Sequence, residues 1–131
     1  LAVAADGANL LIMRETVSGS PQLRARRYSG GAWSSPVTVP DSAGVALGWE
    51  LAMNATGDAV LVWNYQTQRQ AAVARLPSGT NAWGAAQAAS STASSDVLPL
   101  AAALAASGRA VLGWREFVLG SGEEVWGNVL P

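Results

Sequence analysis

Three dipeptides recur at one place in the chain's internal pattern: Arg14-Glu15, Asn64-Tyr65 and Arg115-Glu116. Each stands just past an apolar segment, where a strand hands over to a loop, and loop-built faces are where β-rich scaffolds usually meet ligands. An Arg beside a carboxylate or a phenol can hydrogen-bond sugar hydroxyls or a sugar acid, which makes these residues candidates for ligand binding. Paired, solvated strand ends would carry the same residues, and recurrence fits that reading equally. A second candidate is the cluster Arg24, Arg26 and Arg27, in a chain with only eight cations. On a strand Arg24 and Arg26 share one face and Arg27 takes the other, so the first two could clamp an anion. Protection of a sheet edge by inserted charge is the competing role. Arg27 aligns with Arg75 and reads as a contact between repeats or at an edge.

Of the six Trp, Trp33, Trp63, Trp83 and Trp114 fall on repeating positions and are read as core or inter-sheet packing, not as ligand residues. Trp49 and Trp126 depart from the repeat, aligning with Leu100 and Ala72. An irregular indole offers a flat platform for the C–H face of a pyranose, and a protein interface would use it as well. Catalysis is not expected. A glycosidase needs two carboxylates roughly 5 to 10 Å apart, whereas Glu15, Glu116, Glu123, Glu124 and the four Asp form no paired motif. Asp6 and Asp58 are explained by turns, and Glu123-Glu124 reads as part of the longest, mobile loop, after Gly120-Ser121-Gly122. No Asp-x-Asp spacing suggests calcium, and Asn54-Ala55-Thr56 is a formal glycosylation sequon read as coincidental.

Composition narrows the chemistry further. The chain has 131 residues, half of them apolar and 13% charged, enough for one core. It has no His, no Cys and no Lys, which excludes zinc sites, Ser-His-Asp triads, Cys nucleophiles and disulfides within it. No cofactor is expected. Eight Arg against nine acidic residues leave a net charge of −1, without a general attraction for nucleic acid or an anionic membrane. The longest apolar run, Val97 to Ala106, is about half the ~20 residues that span a bilayer and contains Pro99, so no membrane insertion is expected. The chain opens on Leu1 without a basic stretch before an apolar one, as expected of a start inside a longer or processed polypeptide.

The elements that position these residues follow from an internal repeat. Leu1 to Glu15 lines up with Leu51 to Tyr65 and with Ala102 to Glu116, at offsets of 50 and 51. A second block, Gly30 to Val39, matches Thr80 to Ala89. Asp6-Gly7, Thr56-Gly57 and Ser107-Gly108 each sit between two apolar segments, where Gly supplies the positive φ of a tight hairpin. Strands are expected at Leu10 to Met13, Val60 to Trp63 and Val111 to Trp114, with near-continuous apolarity suggesting burial on both faces. A third strand follows at Leu23 to Tyr28, Ala71 to Leu76 and Val125 to Leu130, and a fourth at Trp33 to Val39 and Trp83 to Ala88. Ala101 to Ala106 has helical propensity but stands in register with Leu1 to Asp6, and so reads as strand. Ala85 to Asp96 reads as a flexible loop between repeats. Four strands per unit is the arithmetic of a β-propeller blade. The expected fold is all-β, with blades of four antiparallel strands at 1–50 and 51–101 and a three-stranded partial blade at 102–131.

An apolar A-x-x-A-x-x-G segment, then A-V-L-V-W, then a strand, then G-x-W-S-x-P resembles the degenerate repeats of sialidase-like β-propellers from secreted bacterial proteins. Of the family's Ser-x-Asp-x-Gly-x-x-Trp signature, only the Gly-x-x-Trp tail has counterparts, at Gly30 to Trp33 and, with one extra residue, Gly79 to Trp83. The resemblance implies an extracellular or cell-surface recognition module. About 2.75 repeats fall short of the four to eight blades of a closed propeller, so the ring is incomplete in one chain. The expected partners are therefore other copies of the chain, or the remainder of a longer one, meeting through open strand edges, with glycan as the candidate ligand. Two alternatives remain: a structural module polymerising through those edges, and a fragment of a sialidase-like glycoside hydrolase.

Overall fold

A computed structural model of the chain describes residues 1–3, 7–42, 44, 48–65, 70–90, 96–118 and 120–131, with the side chains of Tyr65, Asp96 and Leu100 left out. Among those residues there is no helix, and the strands form three antiparallel sheets. The first comprises β1 (Ala2–Val3), β2 (Asn9–Val17), β3 (Ser20–Ser29), and the short β4 (Ala32–Trp33) and β5 (Val37–Thr38), which both pair with β3. The second is β6 (Trp49–Met53), β7 (Ala59–Tyr65), β8 (Gln70–Leu76) and β9 (Gln87–Ala88). The third is β10 (Asp96–Leu104), β11 (Ala110–Val118) and β12 (Gly122–Leu130). The second and third sheets open at Trp49 and Asp96, upstream of the Leu51 and Ala102 at which the sequence repeats begin. Gly7, Gly57 and Gly108 take φ of 80°, 88° and 87°, the left-handed conformation that the turns between first and second strands require. Asp6, expected in the first of those turns, lies outside the described residues.

The sheets stack face to face, and side-chain alternation decides which residue meets which sheet. Leu10, Ile12, Leu23 and Ala25 of the first sheet pack on Leu61, Trp63, Ala72 and Ala74 of the second. The opposite face of the second sheet, with Val60, Val62, Ala71 and Val73, packs on Val97, Ala110, Leu112 and Trp114 of the third. Val60, Leu61, Val62 and Trp63 are all 0% exposed, so β7 is buried on both faces as expected. For β2 and β11 that expectation is corrected: their burial alternates, because only one side of each outer sheet has a neighbour.

Two polar devices recur between repeats. The buried Ser42 hydroxyl accepts the Leu23 N–H at 3.0 Å, and the buried Ser90 hydroxyl accepts the Ala71 N–H at 3.1 Å. Each serine thus holds the connection after the fourth strand against the third strand of its own sheet. Arg27 reaches across to the Gly57 carbonyl at 3.3 and 3.4 Å, and Arg75 donates to the Gly108 carbonyl in the same way, so each guanidinium ties one sheet to the turn of the next.

Three other expectations change. The fourth strand of the first sheet is broken, because Pro36 has no N–H to give the ladder. Its counterpart in the second sheet shrinks to Gln87–Ala88, with the bond from Gly84 N to Arg75 O upstream of it. Glu123 and Glu124 lie in β12, paired with Phe117 and Glu116, and not in a loop, because the β11–β12 hairpin continues its ladder to Val118–Gly122. The stretch read as a flexible loop is anchored at Ala89, which donates to Ala71 O at 2.7 Å, and at Ser90, while residues 91–95 lie outside the described ones.

Candidate functional site

The recurring strand-end residues do not converge. Arg14 is exposed, and Glu15 lies 3.9 Å from Arg24 Nε. Asn64 is buried, as is Glu116, which accepts a 2.7 Å bond from Trp114 Nε1. Arg115 pairs with Glu123 at 3.0 Å. The side chain of Tyr65 lies outside those described. Successive residues point to opposite faces of a strand, so Arg14, Asn64 and Arg115 look toward the following sheet position while Glu15 and Glu116 look back. This alternation splits Arg14 from Glu15 and Arg115 from Glu116.

Arg24 and Arg26 share a face, the outer one of the first sheet, as their spacing requires. Their guanidinium groups are occupied: Arg24 Nη2 donates to Pro36 O at 2.8 Å and Arg26 Nε to Ser34 O at 3.0 Å. Both carbonyls belong to the gap between β4 and β5, so the two arginines close the interrupted edge. Trp49 stands opposite Trp63 and packs against the first core, whereas Trp126, opposite Trp114, is half exposed.

Trp33 is the residue the sequence misplaced. It is 43% exposed and lies against Tyr28, ring centroids 5.3 Å apart at 57°. A two-residue strand at a sheet edge cannot cover an indole, and the only sequence sign of this was Gly30-Gly31 just before it. Trp33 borders a cleft of about 400 Å³ between the first and second sheets, lined also by Arg27, Ser29, Ser34, Ser78 and Asn81. That volume falls in the range of small-molecule sites, roughly 300–1,000 Å³. Arg27 is only 8% exposed, and its Nε has no hydrogen-bond partner among the described residues although both terminal nitrogens reach Gly57 O. Among the described residues the lining includes no Asp or Glu. A smaller cleft of about 270 Å³ is lined by Asp41, Gln70, Gln87 and alanines of the second sheet.

One wall of the larger cleft is rigidified by the turn below it. Asn54 Oδ1 accepts from the Thr56 and Asp58 N–H groups at 3.1 and 3.0 Å. Asp58 Oδ1 accepts the Ser78 N–H at 2.8 Å. That bond, with those from the Thr56 hydroxyl and the Asn54 amide, holds the Asp58 carboxyl below the usual carboxylate range. Asn54 is 5% exposed and its amide also donates to Ala105 O, so the sequon is committed to structure.

No protein-family model matches the chain, and no curated protein matches it. Among solved structures it is similar to a fucose lectin from Kordia zhangzhouensis, determined in complex with methyl-fucoside: TM-score 0.52, 9% identity, covering 96% of this chain and 88% of that one. At that identity the likeness is one of fold: an all-β arrangement of blade-like antiparallel sheets.

Proposed function

We propose that the chain is a non-enzymatic glycan-recognition module that binds sugar in the cleft between its first and second sheets. The observation that carries this reading is the placing, at one cleft of small-molecule size, of an exposed indole, Trp33, among the polar side chains of Ser29, Ser34, Ser78 and Asn81. The apolar face of a pyranose lies on Trp33, and Ser29, Ser78 and Asn81 in the lining meet its hydroxyls. Hydrolysis is not the favoured chemistry, since a glycosidase needs two carboxylates across the bond and the described residues of the cleft lining include none. The fold shared with a lectin supports the reading, and with the reading goes a place outside the cell or on its surface. Several such clefts in an assembly would add avidity to individually weak sites.

The test is titration of the chain with a panel of monosaccharide methyl glycosides, methyl-fucoside included, followed by Trp fluorescence and calorimetry. At least one should bind, and Trp33→Ala should weaken it by roughly tenfold, about 1.4 kcal/mol, with an unchanged far-UV spectrum. No binding across the panel, or full affinity in the Trp33 variant, overturns the proposal.

A further inference from the structure

The sites that face the next sheet are fully covered in the first two sheets and bare in the third. Leu10, Val60 and Val111 are equivalent by register, and they are 1%, 0% and 53% exposed. Leu23, Ala71 and Val125 are likewise equivalent, at 0%, 0% and 76%. The outer face of the third sheet is therefore built like an inner one and lacks its neighbour. We propose that this neighbour is the outer face of the first sheet of a second copy of the chain, stacked as the sheets stack within one chain.

Shape and charge both select that occupant. At the centre of the third sheet's outer face Gly113 stands opposite Gly127, where the first two sheets carry Ile12 opposite Ala25 and Val62 opposite Val73. That centre is a dimple. On the first sheet's outer face Arg24 and Arg26 stand where the second sheet has Ala72 and Ala74, so the bulkier arginine stems meet the emptier partner surface. Leu11 and Met13 lie on the same face and supply its apolar centre. Between the second and third sheets, Asn64 and Glu116 are buried at the strand ends, on the two surfaces that face each other. The equivalent residues at a junction between copies are Arg115 and Glu15, side chains 39% and 40% exposed, which would form an ion pair.

One inter-sheet device is missing at this junction. Arg27 and Arg75 tie each sheet to the next turn, but Val129 holds that position in the third sheet. Association thus depends on the apolar face and the Arg115–Glu15 pair, and it is concentration-dependent. The stacking is head-to-tail, so it closes into a ring or runs on as a filament according to the rotation per copy. It needs no sugar, and its failure leaves the Trp33 test unaffected.

The experiment is light scattering and sedimentation of the whole chain from low micromolar to near-millimolar concentration, on the wild type and on Val111→Asp, Val125→Asp, Arg115→Glu, Glu15→Arg and the Arg115→Glu/Glu15→Arg double variant. The substituted valines are solvent-exposed in the single chain, so far-UV spectra and unfolding midpoints should stay near wild type. Concentration-dependent mass, weakened about tenfold or more by each single variant and recovered in the charge-swapped double, bears the proposal out, whether the product is a closed oligomer or an open series. A chain that stays monomeric throughout overturns it. So does association that ignores Val111→Asp and Val125→Asp. Association sensitive to those two but not to Glu15→Arg overturns it as well, because the third sheet would then be pairing with its own copy.

Discussion

Trp63 and Trp114 occupy equivalent positions and are 0% and 4% exposed, yet they differ by one bond. Trp114 Nε1 donates to Glu116 Oε1 at 2.7 Å, whereas Trp63 Nε1 has no acceptor among the described residues. Replacing either by Phe removes a similar volume from a similar layer, so the cavity cost is largely common to the two variants. The bond to a carboxylate is not common: it is worth about 1.5–3 kcal/mol, and losing it also leaves the buried Glu116 without that donor. Removing an unpartnered buried N–H from position 63 instead relieves a desolvation cost of about 1 kcal/mol or more. Trp114→Phe should therefore cost at least about 2 kcal/mol more than Trp63→Phe. Urea unfolding followed by far-UV circular dichroism measures this directly, provided the slope with denaturant is the same in both variants. An equal or larger loss at Trp63 would refute the reasoning, since the polar environment would then not be what separates two identical side chains.

Ser42→Ala and Ser90→Ala should each lower stability by about 1–3 kcal/mol, because each strands a buried strand N–H, while the exposed Ser107→Ala should change little in the same titration. Either serine variant proving neutral would mean that another acceptor takes over that N–H. Asp58 has a depressed folded pKa, so its contribution to stability is present above the ordinary carboxylate value near 4 and is lost as pH falls through the folded pKa. Thermal melts of wild type and Asp58→Asn should be well separated at pH 6 and should converge at lower pH; a gap that stays constant with pH rules the linkage out.

The architecture was largely legible because three independent signals agreed: the offset of 50 and 51 residues, a Gly at each turn, and apolar strands on both sides of it. What the sequence hid were the consequences of having neighbours. The apolar runs at Leu10 to Met13 and Val60 to Trp63 look alike, yet only the second is flanked by sheets on both sides. The candidate site was less legible. The dipeptide Arg14-Glu15 is contiguous in sequence and divided in space, because a strand sends neighbours to opposite faces. Trp33 sits on a repeat position like Trp63, but the edge strand around it is two residues long, and whether an indole at such an edge is covered depends on Pro36 breaking that strand three residues later. Serines such as Ser42 and Ser90 carry no signature at all until the loop folds back on its own sheet.

The stacking rule has a consequence for how such a chain can lengthen. The second sheet presents an apolar surface to the sheet before it and another to the sheet after it, the Gly57 carbonyl to the arginine before it and Arg75 to the turn after it. A duplicated unit of the second sheet's kind would therefore arrive with both halves of every contact it needs, and in-phase gene duplication could extend the molecule without redesigning any residue already present. In the third sheet Val129 stands where Arg27 and Arg75 stand in the first two, so a unit following it would dock without that clamp.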